Sequence, residues 1–346
     1  MTGQIFVGGT GRSGTTILTE ILGSHPEIYA FKREMRFLTD PDGLVHLYTC
    51  LGTNYSSSQA GQSIARFKKL MLEDLTSPSS PPYIGFNLRK TFGHQLYDSS
   101  IESLLKKVTI CHYRGLDYYT AGSTAQVTVA PILRLIEKCL NARRKLPYLF
   151  KPAPSRAILS PRQSIAEGRY FSDPTELARI LGEFVDSLFF SAAREAGKSI
   201  WCEQTPGNVL HGTFLSQILP DCHQICIKRD PRGVATSFLN QNWAPDTVED
   251  VCEILACSYD KWLIERDRIR ATGGNLLEVS LEQLSQSPDA ETQRIADFLG
   301  IPNSFPRAAT LDSSKVNYWS DANHRPVTRK ITARLEGYIE KMGYTL

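Results

Sequence analysis

The sequence predicts an α/β fold in which a parallel β-sheet is flanked by helices. Four short apolar runs, at about 4–8, 199–203, 224–228 and 275–279, are each followed by a helical pattern. Strands that alternate with helices are typical of a parallel sheet with right-handed crossovers. The composition agrees, because 346 residues that are 41% hydrophobic and carry a net charge of +3 suffice for one large core. We therefore expect a single domain over residues 1–346.

The first strand leads into a glycine-rich loop at residues 8–16 (GGTGRSGTT) and then into an amphipathic helix. Glycines let a backbone turn sharply and approach a ligand closely, and the free N–H groups of a helix N-terminus attract anions. The loop departs from the ATPase pattern Gly-x-x-x-x-Gly-Lys-Ser/Thr, because Thr15 occupies the lysine position and the cation comes earlier, at Arg12. We expect an anion of lower charge than a triphosphate, such as a sulfuryl group. Its ligands would be backbone N–H groups, Arg12 and the hydroxyls of Ser13, Thr15 and Thr16.

A second strand–turn–helix unit spans residues 224–237 (QICIKRDPRGVATS). Asp230 fits a helix N-cap, and Pro231 fits the first helical position, where a missing N–H group costs nothing. Arg229 ends the strand, and open parallel sheets bind ligands beyond the carboxyl ends of their strands. Ser237 would meet the same ligand from almost two turns inside the helix.

Both units resemble the donor site of sulfotransferases that use 3′-phosphoadenosine 5′-phosphosulfate (PAPS). The loop, with the His-Pro pair that follows the first helix, is similar to the phosphosulfate-binding loop of this family, including its protein-tyrosine and its bacterial and Golgi-type branches. In the family an arginine and a serine eight residues later hold the 3′-phosphate, and Arg229 and Ser237 have this spacing. The resemblance covers residues 4–37 and 199–302 and implies the P-loop-NTPase-like sulfotransferase fold.

The resemblance also implies the ligands and the reaction. The predicted donor-binding residues are Gly11, Arg12, Ser13, Gly14, Thr15, Thr16, Arg229 and Ser237. PAPS would give its sulfuryl group to an acceptor hydroxyl without a metal ion, leaving adenosine 3′,5′-diphosphate. Arg12 is predicted to be catalytic, because negative charge builds up on the leaving phosphate oxygen. The acceptor stays open among small-molecule alcohols or phenols, sugar or lipid hydroxyls and peptide tyrosines.

The predicted general base is Glu34, the only acid in residues 30–38, which follow the first helix. In the protein-tyrosine branch a glutamate shortly after the His-Pro pair is the base, but an ungapped match places that position at Arg33, one residue away. His94 and His112 are the alternative bases, because imidazole titrates near neutral pH.

One departure from the family lies in residues 199–208 (SIWCEQTPGN), which resemble its Glu-Lys-Thr-Pro segment. Gln204 replaces the lysine that in many members reaches toward the sulfuryl group, and a glutamine donates hydrogen bonds but brings no charge. Either Arg12 or another cation supplies the missing charge, or the segment is mainly structural.

Residues 40–195 lie outside the resemblance. They are too long for one loop and carry helical patterns at 62–75, 130–146 and 173–196, so we expect a largely helical insertion that caps the acceptor site. Within it, residues 134–169 hold nine Lys or Arg against two acids. This stretch fits either a solvated helix face or a surface that receives an anionic acceptor or an acidic partner.

Further observations exclude other classes. No basic motif with interleaved aromatic residues accompanies the basic stretch, which argues against nucleic acid, and the eight cysteines are scattered without a C-x-x-C pair, which argues against zinc or disulfides. No run of about 18 apolar residues occurs and the first strand begins at residue 4, so we expect a cytoplasmic protein without a membrane span. Two alternative functions stay open: a P-loop kinase or NTPase, which would depend on Mg²⁺, and a non-catalytic nucleotide-binding module.

Overall fold

Five parallel strands form the central sheet in a computed structural model that describes residues 3–77, 86–115, 163–310, 316–321 and 324–346. The strands are β1 (Gly3–Gly8), β2 (Ile28–Ala30), β5 (Ile200–Glu203), β6 (His223–Lys228) and β7 (Asn275–Ser280). They lie in the order β2-β5-β1-β6-β7, and every neighbouring pair is parallel. The predicted α/β fold is confirmed, and all four predicted strands belong to this sheet.

Helices cover both faces of the sheet. Those described are α1 (Thr15–Gly23), α2 (Leu44–Leu51), α3 (Ser57–Lys69), α4 (Leu88–Phe92), α5 (His94–Val108), α6 (Pro174–Glu195), α7 (Gly212–Ile218), α8 (Pro231–Leu239), α9 (Val248–Ala271), α10 (Leu281–Gln286), α11 (Pro288–Leu299) and α12 (Arg325–Lys341). A π-helical turn at Leu70–Asp74 continues α3, and 3₁₀ turns lie at Pro206–His211, Pro306–Thr310 and Tyr318–Ser320. None of the described helices combines the length and the hydrophobicity that crossing a membrane requires.

The side-chain alternation of the strands divides the core between the two faces. Ile5 and Val7 of β1 point to the face on which α1, α10 and α11 pack. Phe6 and Trp201 point to the opposite face, where α6 and the residues from α2 to α5 pack. Cys226 of β6 lies on that second face as well, beneath α8, α9 and α12. The sheet is therefore covered on both sides, as a parallel sheet requires.

Three strands carry no clear sequence signal. β2 has only three residues, too few for a periodic pattern. β3 (Thr109–Gly115) pairs antiparallel with β4 (Gln163–Gly168), and the two strands are too far apart in sequence for a short hairpin turn to indicate their pairing. The helical pattern at 62–75 corresponds to α3 with its π-helical turn, and that at 173–196 corresponds to α6. The pattern at 130–146 and most of the basic stretch lie outside the described residues.

The described part of the 40–195 stretch shares a core with the sheet. The ring of Phe189 in α6 meets the ring of Trp201 in β5 edge-on, with a centroid distance of 4.8 Å. On its other side it contacts the ring of Phe31 at 4.7 Å. These aromatic contacts join α6 to the strand ends that lead into the site, so this helix and the sheet are expected to unfold together.

Gly182 allows α6 to approach α7 closely, because a Cβ atom at this position would overlap the carbonyl oxygen of Ile218. We expect Gly182→Ala to lower the free energy of unfolding by about 1–3 kcal/mol, as overpacking does in well-packed cores. The control is Gly337→Ala on α12, where no atom lies near the added methyl group. It should raise the free energy of unfolding by about 0.5–1 kcal/mol. Urea denaturation measures both, and equal effects would contradict the close approach.

Candidate active site

The carboxyl ends of β1, β5 and β6 meet at one edge of the sheet, around a cavity of about 1100 Å³. The glycine-rich loop follows β1, residues 205–207 follow β5, and Arg229 follows β6. All three segments line the cavity. Parallel sheets bind ligands at this edge because the loops that leave neighbouring strands converge there.

The backbone of the loop contains three residues in the left-handed region. The φ angles of Gly11, Arg12 and Gly14 are 76°, 54° and 106°. The first turn of α1, which begins at Thr15, holds no acidic residue, and no side chain among the described residues caps it. Its N–H groups and the positive end of its dipole therefore favour an anion in front of the loop.

The local sequence determines how α8 presents its residues to the cavity. Asp230 accepts a hydrogen bond from the backbone N–H of Arg232 at 2.8 Å, and Pro231 begins the helix, so the predicted N-cap is confirmed. The backbone N–H of Asp230 donates to the carboxylate of Glu282 at 2.9 Å, which holds the turn against the end of β7. Ser237 consequently lies on the flank of α8 that faces the loop.

The two predicted motifs are in direct contact. Arg12 Nε donates a hydrogen bond to Ser237 Oγ at 3.0 Å, and Arg229 Nη1 donates to the carbonyl oxygen of Arg12 at 3.4 Å. Arg229 is buried, and its Nη2 donates to the carbonyl oxygen of Val316 at 2.6 Å. Arg12, Arg229 and Ser237 all line the cavity. Two guanidinium groups beside a hydroxyl group are suited to bind phosphate groups.

The remaining loop residues face different environments. Gly11, Gly14, Thr15 and Thr16 line the cavity. Ser13 is fully buried, and its Oγ has no hydrogen-bond partner among the described residues. The predicted ligands are therefore brought together except for the Ser13 hydroxyl, which does not face the cavity.

Glu34 lines the cavity as a half-buried side chain, in contrast to the two alternative bases. Its Oε2 accepts a hydrogen bond from Arg36 Nη2 at 3.1 Å, and Arg36 Nη1 lies 3.4 Å from Asp40 Oδ2. Burial raises the pKa of Asp40, and the charge of Glu34 adds to this rise while Arg36 opposes it. His94 and His112 are exposed and lie outside the cavity lining. The geometry thus brings a carboxylate, and neither histidine, to the loop.

Residues 203–208 connect the loop to the segment that carries Glu34, and we call them the bridging segment. Gln204 is buried, and its Nε2 donates to the carbonyl oxygen of Phe31 at 3.4 Å instead of facing the cavity. The carbonyl oxygen of Pro206 accepts from the backbone N–H of Gly9 at 3.0 Å. The side chain of Gln204 therefore makes a structural contact.

Several cavity residues could not be recognised from the sequence. Trp243 is 63% exposed, and its ring meets Phe238 edge-on with a centroid distance of 5.4 Å. Arg307 forms an ion pair with Glu20 of α1 at 2.7 Å. These residues lie in turns or on helix flanks that no motif marks. Leu281 could have been found, because it directly follows β7 as Arg229 follows β6.

Comparisons with known proteins identify the family of this chain. A model of the Sulfotransferase family matches residues 4–80 and 122–306. No curated protein matches the chain significantly.

Solved structures to which the chain is similar include a sulfotransferase domain from the curacin biosynthetic pathway. It is 15% identical, with a TM-score of 0.43, and the match covers 100% of this chain and 99% of that domain. The sulfotransferase domain from the Synechococcus PCC 7002 olefin synthase is 16% identical, with a TM-score of 0.43 over 99% of this chain and 95% of its own. A sulfotransferase from Mycobacterium avium is 14% identical, with a TM-score of 0.39, and the match covers 100% of this chain and 78% of that sulfotransferase. Because the family model spans most of the sequence, the chain belongs to the sulfotransferase family.

Proposed function

We propose that the protein transfers a sulfuryl group from PAPS to an acceptor hydroxyl. The observation that carries this proposal is the hydrogen bond between Arg12 and Ser237, which are 225 residues apart in sequence. Each is expected to bind a different phosphate-bearing end of the same nucleotide, and their contact supports one continuous donor site. The family membership supports sulfuryl transfer as its reaction.

The loop fits the phosphosulfate end of this donor. The left-handed residues Gly11, Arg12 and Gly14 shape a backbone concavity in front of the uncapped α1. Thr15 and Thr16 add hydroxyl donors at the same place. When bound, PAPS supplies a sulfuryl group attached to a phosphate oxygen that can leave. Arg229 and Ser237 would hold the 3′-phosphate.

The protein side chains then have three roles. Glu34 accepts the proton of the acceptor hydroxyl as the acceptor oxygen attacks sulfur. Arg12 stabilises the negative charge that the leaving phosphate oxygen gains. The acceptor approaches from the side of Glu34 and Asp40, and we propose that the 40–195 stretch of this single domain caps that end of the cavity.

Turnover tests the proposal directly. The protein is incubated with PAPS and a panel of phenols, monosaccharides and primary alcohols, and the release of adenosine 3′,5′-diphosphate is measured with and without a chelator. We expect acceptor-dependent release that the chelator does not change. Turnover of ATP that requires Mg²⁺ would favour the kinase or NTPase alternative, and nucleotide binding without turnover would favour the binding module.

Removing Arg229 should abolish recognition of the 3′-phosphate. In the unmodified protein, adenosine 3′,5′-diphosphate at 100 times its dissociation constant adds about 2.7 kcal/mol of stability, which raises the melting temperature by about 4 °C. We expect Arg229→Ala to lose most of this ligand-induced rise. The variant's own melting temperature should also fall, because Arg229 donates to the carbonyl oxygen of Val316, so only the ligand-induced shift is compared.

Arg334→Ala is the control for the Arg229 variant, because Arg334 pairs with Glu249 at an exposed position away from the cavity. It should keep the full ligand-induced rise. The assigned donor site would be contradicted if adenosine 3′,5′-diphosphate raised the melting temperature of Arg229→Ala as much as that of the unmodified protein. Stabilisation by ATP with Mg²⁺ in place of adenosine 3′,5′-diphosphate would contradict it as well.

A further inference from the structure

We propose that Glu203 is a positioning residue for Glu34, and that its buried carboxylate sets the distance between the general base and the donor loop. The inference rests on the proposed function, in which Glu34 is the base. Glu203 is the last residue of β5 and the first of the bridging segment. It does not line the cavity, so it acts only through the residues it contacts.

The carboxylate of Glu203 is fully buried and accepts four hydrogen bonds. Its Oε1 accepts from the backbone N–H of Met35 at 2.8 Å, from the backbone N–H of Thr205 at 2.9 Å and from Thr205 Oγ1 at 2.6 Å. Its Oε2 accepts from Asn208 Nδ2 at 2.5 Å. Each oxygen is therefore directed by donors on neighbouring segments.

These donors belong to different parts of the site. Met35 directly follows Glu34, and Thr205 lines the cavity. Asn208 Nδ2 also lies within hydrogen-bond distance of the carbonyl oxygen of Val7, at 3.3 Å, next to the start of the loop. Glu203 thus contacts the segment that carries the base directly, and it contacts the strand that leads into the loop through Asn208.

The contacts favour an ionised carboxylate. Four donors need two oxygens that both accept, whereas a glutamine offers one oxygen and an NH₂ group that would face the NH₂ group of Asn208. Burial raises the pKa of Glu203, and the hydrogen bonds from Thr205, Asn208 and Met35 oppose this rise by stabilising the ionised form. Burying a charge is unfavourable unless its hydrogen bonds are satisfied. The four hydrogen bonds therefore offset the cost of burying the carboxylate and hold its orientation.

Glu265 provides a matched control. It is also a buried glutamate, and its Oε1 accepts a backbone hydrogen bond, from Thr213 at 2.7 Å. It lies on α9, away from the cavity lining. Glu265 differs in that its Oε2 also pairs with Lys261 at 3.4 Å and Arg268 at 3.8 Å. Glu265→Gln therefore disturbs another buried carboxylate without touching the segment that carries Glu34.

Hydrogen–deuterium exchange tests the anchoring without any turnover. In Glu203→Gln we expect the backbone amide of Met35 to exchange at least about tenfold faster than in the unmodified protein, because repulsion between the NH₂ groups of the new glutamine and of Asn208 displaces the oxygen that accepts from Met35. In Glu265→Gln the amide of Thr213 should exchange faster and that of Met35 should not. Unchanged exchange at Met35 in Glu203→Gln would overturn the proposal.

A double-mutant cycle tests whether the anchoring acts through the base. Glu203→Gln should lower kcat with PAPS and the best acceptor of the panel by about tenfold to a hundredfold, because small displacements of a catalytic group are costly. The dissociation constant of adenosine 3′,5′-diphosphate should change by less than about threefold. In a Glu34→Gln background the same change should cause no further loss of kcat, because the base is already absent.

Other outcomes distinguish the inference from the function it rests on. An additional loss in the Glu34→Gln background, or a similar loss in Glu265→Gln, would show general destabilisation and overturn the positioning role. An unmodified protein that neither binds adenosine 3′,5′-diphosphate nor transfers a sulfuryl group would overturn the proposed function itself. If Glu203→Gln fails to fold, Glu203→Asp replaces it. That variant keeps the charge and withdraws the carboxylate by one methylene group, so the same pattern with smaller effects is expected.

Discussion

Replacing Arg12 by alanine is expected to slow sulfuryl transfer by about a hundredfold or more at saturating PAPS. The guanidinium group of Arg12 lines the cavity, and its hydrogen bond to Ser237 places it between the loop and α8. A cation at this position stabilises the charge that develops on the leaving phosphate oxygen and therefore acts mainly on the transition state. The loss should appear in kcat, measured by the release of adenosine 3′,5′-diphosphate.

The backbone conformation of Arg12 allows the effect of its side chain on the rate to be distinguished from an effect on stability. A non-glycine residue at a φ angle of 54° is strained by about 1–2 kcal/mol, and glycine relieves this strain. Arg12→Gly should therefore be at least as stable as Arg12→Ala and equally slow. Asp42→Gly is the control, because Asp42 has a φ angle of 65° and does not line the cavity; it should leave the rate unchanged. A rate near that of the unmodified protein in either Arg12 variant would contradict the catalytic role.

Glu34→Gln is expected to lower kcat by about a hundredfold to ten thousandfold, the range of general base catalysis. Glutamine keeps the size and the hydrogen-bonding oxygen of Glu34 but cannot accept the acceptor's proton. Glu34 follows β2 and Arg229 follows β6, and β5 and β1 lie between these two strands in the sheet. The affinity for adenosine 3′,5′-diphosphate should therefore stay nearly unchanged. Steady-state kinetics and a binding titration together separate the two effects.

Glu20→Gln is the matched control for Glu34→Gln. Glu20 also lines the cavity, but it pairs with Arg307 on the flank of α1. Its replacement removes the same charge from the cavity and should change kcat little. Equal losses in the two variants would indicate a general electrostatic effect in place of a base. A large loss in His94→Ala or His112→Ala, with Glu34→Gln active, would transfer the role of base to a histidine.

The sequence was sufficient for the parts of the molecule that local interactions define. The turn after β6 illustrates this, because the N-cap Asp230, the proline that follows it and the spacing of Arg229 and Ser237 all lie within one strand–turn–helix unit. The loop after β1 is similar, since glycines, a cation and hydroxyl groups occur together over a few residues. Short-range geometry restricts such units to few conformations, so residue types and spacing predict the local fold and several of the side chains that line the cavity.

Only the tertiary structure decided which distant side chains meet and which way they face. Ser13 and Thr15 belong to the same loop and are both buried, yet only Thr15 lines the cavity. Glu203 accepts hydrogen bonds from the segments that follow β2 and β5, and no periodic pattern encodes a contact between residues 168 positions apart, as in its bond with Met35. Such contacts form when the strands assemble in a particular order, and that order arises from the burial of all the apolar faces together.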